Sequence, residues 1–128
     1  MKKILVRDAQ QAIAEKEDFK AGDLHGLAWQ AESALYPIAR RIESMPVEER
    51  EALLEAVRCS QESSTNGPMA TNPQSLEYLV SSYGVPIAWM SHDGKVHRTR
   101  LRHSDATAKH IDIAVGGLQK LSAKILLQ

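Results

Sequence analysis

Apolar residues change their spacing twice along this chain. Up to about residue 62 they recur at three- and four-residue steps, the period of a helix. From Leu76 to Leu101 they gather in short β-prone runs divided by Gly, Pro and Asp, and helical spacing returns after Ser104. Arg7 to Asp18 is rich in Ala, Gln, Glu and Lys, with Ala9, Ala12 and Ile13 on one face and Asp8 placed as an N-cap, which predicts a first helix. Gly22 and Gly26 interrupt the pattern around Asp23, Leu24 and His25 and predict a loop or tight turn. Ala28 to Glu43 carries Leu35, Ile38 and Ile42 at helical spacing. Pro37 lies inside it, so either that helix kinks or a new one begins near Tyr36.

Ser44-Met-Pro46-Val-Glu48-Glu49 reads as a helix start: a capping serine, a proline in the first turn and two acids at the positive end of the helix dipole. This helix is expected to run to about Gln61 and to bury Leu53, Leu54 and Val57. The polar stretch from Ser60 to Pro73 then predicts a long flexible loop.

The second half predicts strands. Leu76 to Ser82 is one, and Val85 to Ser91 is the next, with Ile87 and Trp89 on one face. Tyr83-Gly84-Val85-Pro86 turns or bulges the chain, and Pro86, lacking an N–H, marks an edge or a strand start. Asp93-Gly94 is a two-residue hairpin signal. Lys95 to Leu101 is the returning strand, with Val96 and Leu101 inward and Arg98, Arg100 and Arg102 together on one face. Ser104 caps a helix from Asp105 to Val115, Gly116-Gly117 breaks it, and Leu118 to Leu127 forms a last short helix. The expectation is an α+β fold in one domain over residues 1–128. N-terminal helices pack against a small antiparallel sheet between Leu76 and Leu101, and C-terminal helices follow. A lone hairpin is unstable in water, so helices must cover the sheet.

Composition narrows the function classes. Hydrophobic residues make up 43% and charged residues 25% of the 128, ordinary for a globular domain. The longest apolar runs are a few residues, too short for a membrane span or a signal peptide. One cysteine, Cys59, forms no internal disulfide. It reads as a small core or surface residue and fits a reducing cytoplasm. Formal net charge is zero, but the charges are segregated. From Arg40 to Glu62 six acids outnumber four bases; from Met90 to the end seven bases outnumber three acids and four of the five histidines are found. These halves either attract each other within the fold or leave a basic face for an acidic partner.

The segment from Tyr78 to Trp89 (Tyr-Leu-Val-Ser-Ser-Tyr-Gly-Val-Pro-Ile-Ala-Trp), then Asp93-Gly94, then Ser104-Asp-Ala-Thr-Ala-Lys-His110, resembles a domain of small proteins from actinobacteria and their phages. Those carry a Ser-Tyr-Gly-Thr-Pro-Ile-Ala-Trp run, an Asp-Gly turn and a Ser-x-Thr-Thr-x-Lys/Arg-His segment. Phe19 to Gly26 is similar to a Phe-x-x-Gly-Asn-Leu-x-Gly run that precedes the domain. Here Val85 replaces the usual Thr, and Ala106 stands for the first Thr of the pair. The resemblance covers roughly 19–26 and 78–115, with the helical region between as an insertion. It implies a setting, a phage or phage-like accessory protein in a bacterial cytoplasm, and carries no activity.

Chemistry gathers in the last third. His103, Asp105 and His110, with His92 and His97 beside the hairpin, have the residue types of acid–base catalysis, and a basic, His-bearing hairpin could cleave RNA with Arg98 or Lys109 on the phosphate. The bland alternative, histidines solvated or capping, is favoured. No zinc-ligand spacing and no phosphate-cradling glycine loop is present, so no metal and no cofactor is expected. Arg98, Arg100, Arg102 and Lys109 could instead contact phosphates, with Ser104 and a helix N-terminus taking another. Zero net charge weighs against a dedicated nucleic-acid binder. Tyr83 and Trp89 offer either stacking platforms or hairpin packing. The reading favoured is a small non-enzymatic binding protein docking a macromolecular partner, protein before nucleic acid, through Arg98, Arg100, Arg102, Ser104, Lys109, His110, Tyr83 and Trp89. Nucleic-acid binding, or ribonuclease action, is the alternative. The acidic Glu43–Glu62 helix offers a second surface suited to self-association or a basic partner.

Overall fold

In the computed structural model, which describes residues 2–30, 33–35, 39–65, 72–100 and 105–127, the chain is α+β: three helices and a six-stranded sheet. The elements are β1 (Lys2–Lys3), α1 (Val6–Ala14), β2 (Phe19–Ala21), β3 (Leu24–Ala28), α2 (Val47–Thr65), β4 (Leu76–Ser82), β5 (Val85–Ser91), β6 (Val96–Arg98) and α3 (Asp105–Leu126). Strands lie in chain order. β1 pairs parallel with β2, and every later neighbour is antiparallel. Strands thus begin at the N-terminus, and the sheet is not confined to the stretch after Leu76.

Alternation along the strands sorts side chains into two cores. Tyr78, Val80, Ala88 and Met90 join Ala9, Ala12 and Ile13 of α1 and Ile111, Ala114, Leu118 and Leu121 of α3. Leu79 and Trp89 face the other way and meet Leu53 and Ala56 of α2, together with Trp29 and Met45. The sheet is therefore covered on both faces, as two apolar faces require.

Four elements follow the sequence pattern closely. α1 begins at Val6, with Asp8 in its first turn; Leu5, not Asp8, holds the cap position. α2 starts just after Pro46, whose carbonyl accepts from Arg50 N–H. Its buried residues are Leu53, Ala56 and Cys59, while Leu54 is 44% exposed, one position off the inward stripe. β4 and β5 have the predicted bounds. Tyr83 (φ 53°) and Gly84 (φ 79°) form the two-residue turn between them, both residues at the positive φ that a type I′ hairpin requires. Asp93-Gly94 also turns the chain, but as a three-residue loop. Gly94 N–H donates to Ser91 O, Gly94 takes φ 86°, and Ser91 N–H donates to Lys95 O.

Other expectations are overturned. The Gly22–Gly26 loop is a hairpin: Ala21 faces Leu24 across Gly22-Asp23, and Gly26 is inside β3. Ala28 to Glu43 is no helix among its described residues; Ala28 ends β3, and one 3-10 turn follows at Ile42–Ser44. Leu35 and Ile42 nonetheless pack on the second core, so their spacing reports a shared contact. Residues 60–65 of the supposed loop continue α2, and 66–71 lie outside the described residues. Ser60 caps this junction by accepting Leu76 N–H at 2.8 Å.

Ile87 and Trp89 do not share a core. Val80 faces Ala88 and Ser81 faces Pro86, so Ile87 is an extra residue, a bulge, and it joins the first core while Trp89 joins the second. Pro86 lies past the last pair that β6 makes, Ala88 with Arg98, in keeping with a strand start. β6 is three residues long where seven were expected, and Leu101 lies outside the described residues. Gly116-Gly117 breaks nothing; α3 runs through both. Among the described residues no helix is long and apolar enough to cross a membrane.

Candidate binding groove

β6 is short and lies at the end of the sheet, with the N-terminal half of α2 across a gap from it. Between them is an open groove of about 480 Å3, lined by Glu48, Glu49 and Ala52 of α2 and by Trp89, Lys95, Val96, His97, Arg98 and Arg100. A second hollow of about 270 Å3 continues it toward Glu55, Gln74, Ser91 and Asp93, sharing Ala52, Trp89, Lys95 and His97.

The floor follows from hairpin register. Trp89 faces His97 across β5 and β6, and the rings stack with centroids 5.1 Å apart and planes 9° apart. Ser91 Oγ holds His97 Nε2 at 3.1 Å. Burial, followed by the charge of Lys95, lowers the His97 pKa below its ordinary value; Asp93 acts weakly the other way. The floor is therefore aromatic and uncharged at neutral pH.

Charges of both signs border the groove. Arg98 and Arg100 are exposed on one side, with Glu48 exposed and Glu49 half-buried on the other. The two sides touch where Arg100 N–H donates to Glu49 Oε2 at 3.0 Å. Glu49 Oε1 is buried and has no hydrogen-bond partner among the described residues. The acidic middle and basic end of the sequence thus meet within the fold and still leave both charges on an open surface.

The residues singled out in the sequence divide between two places. Trp89, Arg98 and Arg100 are in the groove. Tyr83 and His110 are at the far end of the β4–β5 hairpin, Lys109 is exposed beside them on α3, and Arg102, His103 and Ser104 lie outside the described residues. Lys95 was not singled out; His97 was weighed only for acid–base chemistry, and Glu48 and Glu49 only as part of a separate acidic surface. A two-residue turn at Asp93-Gly94 would pair His97 with Met90 and Trp89 with Arg98; the three-residue loop shifts the register by one and sets His97 opposite Trp89.

At the hairpin end, β4 meets the N-terminal part of α3. Ser82 Oγ and His110 Nδ1 are 2.7 Å apart, and Tyr83 stacks on His110 at 5.9 Å and 26°. Tyr83 N–H donates to Asp23 O, and Arg41 N–H to Gly84 O, fastening the turn to its neighbours. A serine and a histidine at this distance are the start of a nucleophile–base pair. Here Ser82 is 2% exposed and His110 8%, and no carboxylate hydrogen-bonds His110 among the described residues. The pair ties α3 to the sheet.

Burial lowers the His110 pKa, with Asp23 raising it less, and burial lowers that of His25 as well. A histidine whose folded pKa lies below its unfolded value of about 6.5 contributes stability above that pH and loses it as pH falls toward the folded pKa. The melting temperature should therefore drop between about pH 7 and about pH 5. His110→Gln, which keeps a hydrogen-bonding group for Ser82, should flatten that drop in thermal scans. An unchanged slope would mean that His110 titrates alike in the folded and the unfolded chain.

Among the described residues no group of three or more His, Cys, Asp or Glu is placed to hold a metal ion. No family model, curated protein or solved structure matches the chain.

Proposed function

We propose that this chain is a small non-enzymatic binding protein that docks a protein partner in the groove between α2 and β6. The observation that carries this is the groove's make-up: half-buried His97, stacked on the buried Trp89, lies beside Glu48 and Glu49 of α2, with Arg98 and Arg100 exposed along the edge of β6. Interfaces draw their energy from a desolvated aromatic centre and their specificity from charges around it. A phosphate backbone would meet Glu48 and Glu49 as well as Arg98 and Arg100, so a protein segment with charges of both signs suits the groove better than nucleic acid. The closed Ser82–His110 pair supports binding over catalysis. The resemblance to actinobacterial and phage proteins supports an accessory role in a bacterial cytoplasm.

The test compares two baits. Glu48→Arg with Arg98→Glu reverses a charge of each sign at exposed positions, and should change stability by less than about 1 kcal/mol. Nuclease-treated bacterial lysate passed over wild type and over this variant should yield proteins held by the first and lost by the second. Identical captures would sink the groove as the docking site. Material lost only on nuclease treatment would replace the protein partner by nucleic acid.

A further inference from the structure

The direction of β6's backbone groups follows from two hydrogen bonds. Ser91 N–H donates to Lys95 O and Thr99 N–H to Ile87 O, so residues 95, 97 and 99 turn their backbone groups toward β5. Alternation then turns those of Val96, Arg98 and Arg100 outward. The Arg100 N–H is already taken by Glu49 Oε2, which sits where a further strand's carbonyl would be. Among the described residues no strand pairs with the outer side of β6. The edge therefore offers the N–H and C=O of Val96 and Arg98, bounded at one end by a carboxylate that imitates a neighbouring strand.

Side chains along this edge are sorted by face. His97 lies on the α2 face with Trp89; Val96 lies on the α3 face and packs on the first core, and Arg98, opposite Ala88, shares that face. On the α2 side the space beyond the edge is walled by Glu48 and Glu49. An added strand would show its residues alternately to an acidic wall and to a basic face.

We infer that β6 is an acceptor edge: the partner enters as an extended segment that adds a seventh strand, with acidic side chains toward Arg98 and basic ones toward Glu48 and Glu49. This rests on the groove being the docking site and specifies how it is filled. Main-chain bonds would supply the attachment and the alternating charges the register. A second copy of this chain is a poorer occupant, because its own β6 segment would bring Lys95, Arg98 and Arg100 against the same bases.

The probe is a capped ten-residue peptide in which Glu alternates with Lys; the control has the same composition in two blocks. The alternating peptide should slow amide exchange at Val96 and Arg98, and the block peptide should not. Arg98→Ser removes only the charge. Arg98→Pro also removes an outward N–H and leaves every bond to β5, so it should weaken the alternating peptide about tenfold more than the serine change does. Protection of the β5 amides reports that the variant is folded; if it is not, the exchange measurement on the native chain decides.

Shifts at Trp89 and His97 with unchanged exchange at Val96 and Arg98 would overturn strand addition and keep the groove. Protection at Val96 and Arg98 that grows with protein concentration and needs no peptide would overturn it in favour of self-pairing. A peptide that perturbs nothing at millimolar concentration also overturns it, while the groove itself stands or falls on the two-bait capture.

Discussion

Gly26→Val is expected not to fold, and Gly26→Ala to lose about 3 kcal/mol of stability in urea denaturation. Gly26 sits opposite Phe19 in the β2–β3 pair. A methyl group added there would lie 2.2 Å from Phe19 Cε1 and 2.3 Å from Tyr78 Oη. Neither ring can step aside. Phe19 and Tyr78 are fully buried, and the Tyr78 hydroxyl donates to Glu17 O at 2.6 Å. Burial pushes the Tyr78 pKa well above that of an ordinary tyrosine, as expected of a hydroxyl held in an apolar layer. Combining Gly26→Ala with Phe19→Leu should recover part of the loss, since the two sites share one clash. If Gly26→Ala alone stays within about 0.5 kcal/mol of wild type, the close approach of β2, β3 and β4 is wrong.

That glycine also shows where sequence pattern stops being informative. A glycine signals an interruption only when its own backbone needs the freedom. Gly22, at φ 62° in the β2–β3 turn, does; Gly26 is needed because two aromatic rings close over it. The two situations look alike in one sequence, and β2 at three residues is too short to show a period of two. β4 and β5 were legible because their β-prone runs are seven residues long and bounded by turns. α2 was legible because Ser44, Pro46, Glu48 and Glu49 mark a helix start by local chemistry. The bulge at Ile87 has no such local mark, so the face it inverts, and with it the core that receives Trp89, could not be read. For the groove, charge segregation gave the two signs of charge that border it. Only the fold shows that Glu49 meets Arg100 N–H while Glu48 and Arg98 stay exposed. Tyr83 and His110 were singled out for their side chains, yet burial assigns His110 to holding α3 on the sheet.

The adjacent glycines of α3 should respond in opposite directions. In a helix interior alanine is favoured over glycine by about 1 kcal/mol. At Gly116 the new methyl would meet only the side-chain amide of Gln10, 2.6 Å from Nε2, a flexible end that can swing away. Gly116→Ala should therefore be neutral or stabilising by up to about 1 kcal/mol. At Gly117 the methyl would lie 2.7 Å from Ile13 Cβ and 2.9 Å from the Gln10 backbone oxygen. Ile13 is fully buried and the Gln10 carbonyl belongs to α1, so relief requires α1 to move off α3. Overpacking of that kind costs about 3 kcal/mol, leaving Gly117→Ala about 2 kcal/mol less stable than wild type and Gly117→Leu worse. Urea midpoints of the two alanine variants, measured side by side, decide the point. Equal stabilisation of both would show that α1 does not rest on Gly117. Equal loss from both would show that the pair does act as a break, and that α3 is not continuous through it.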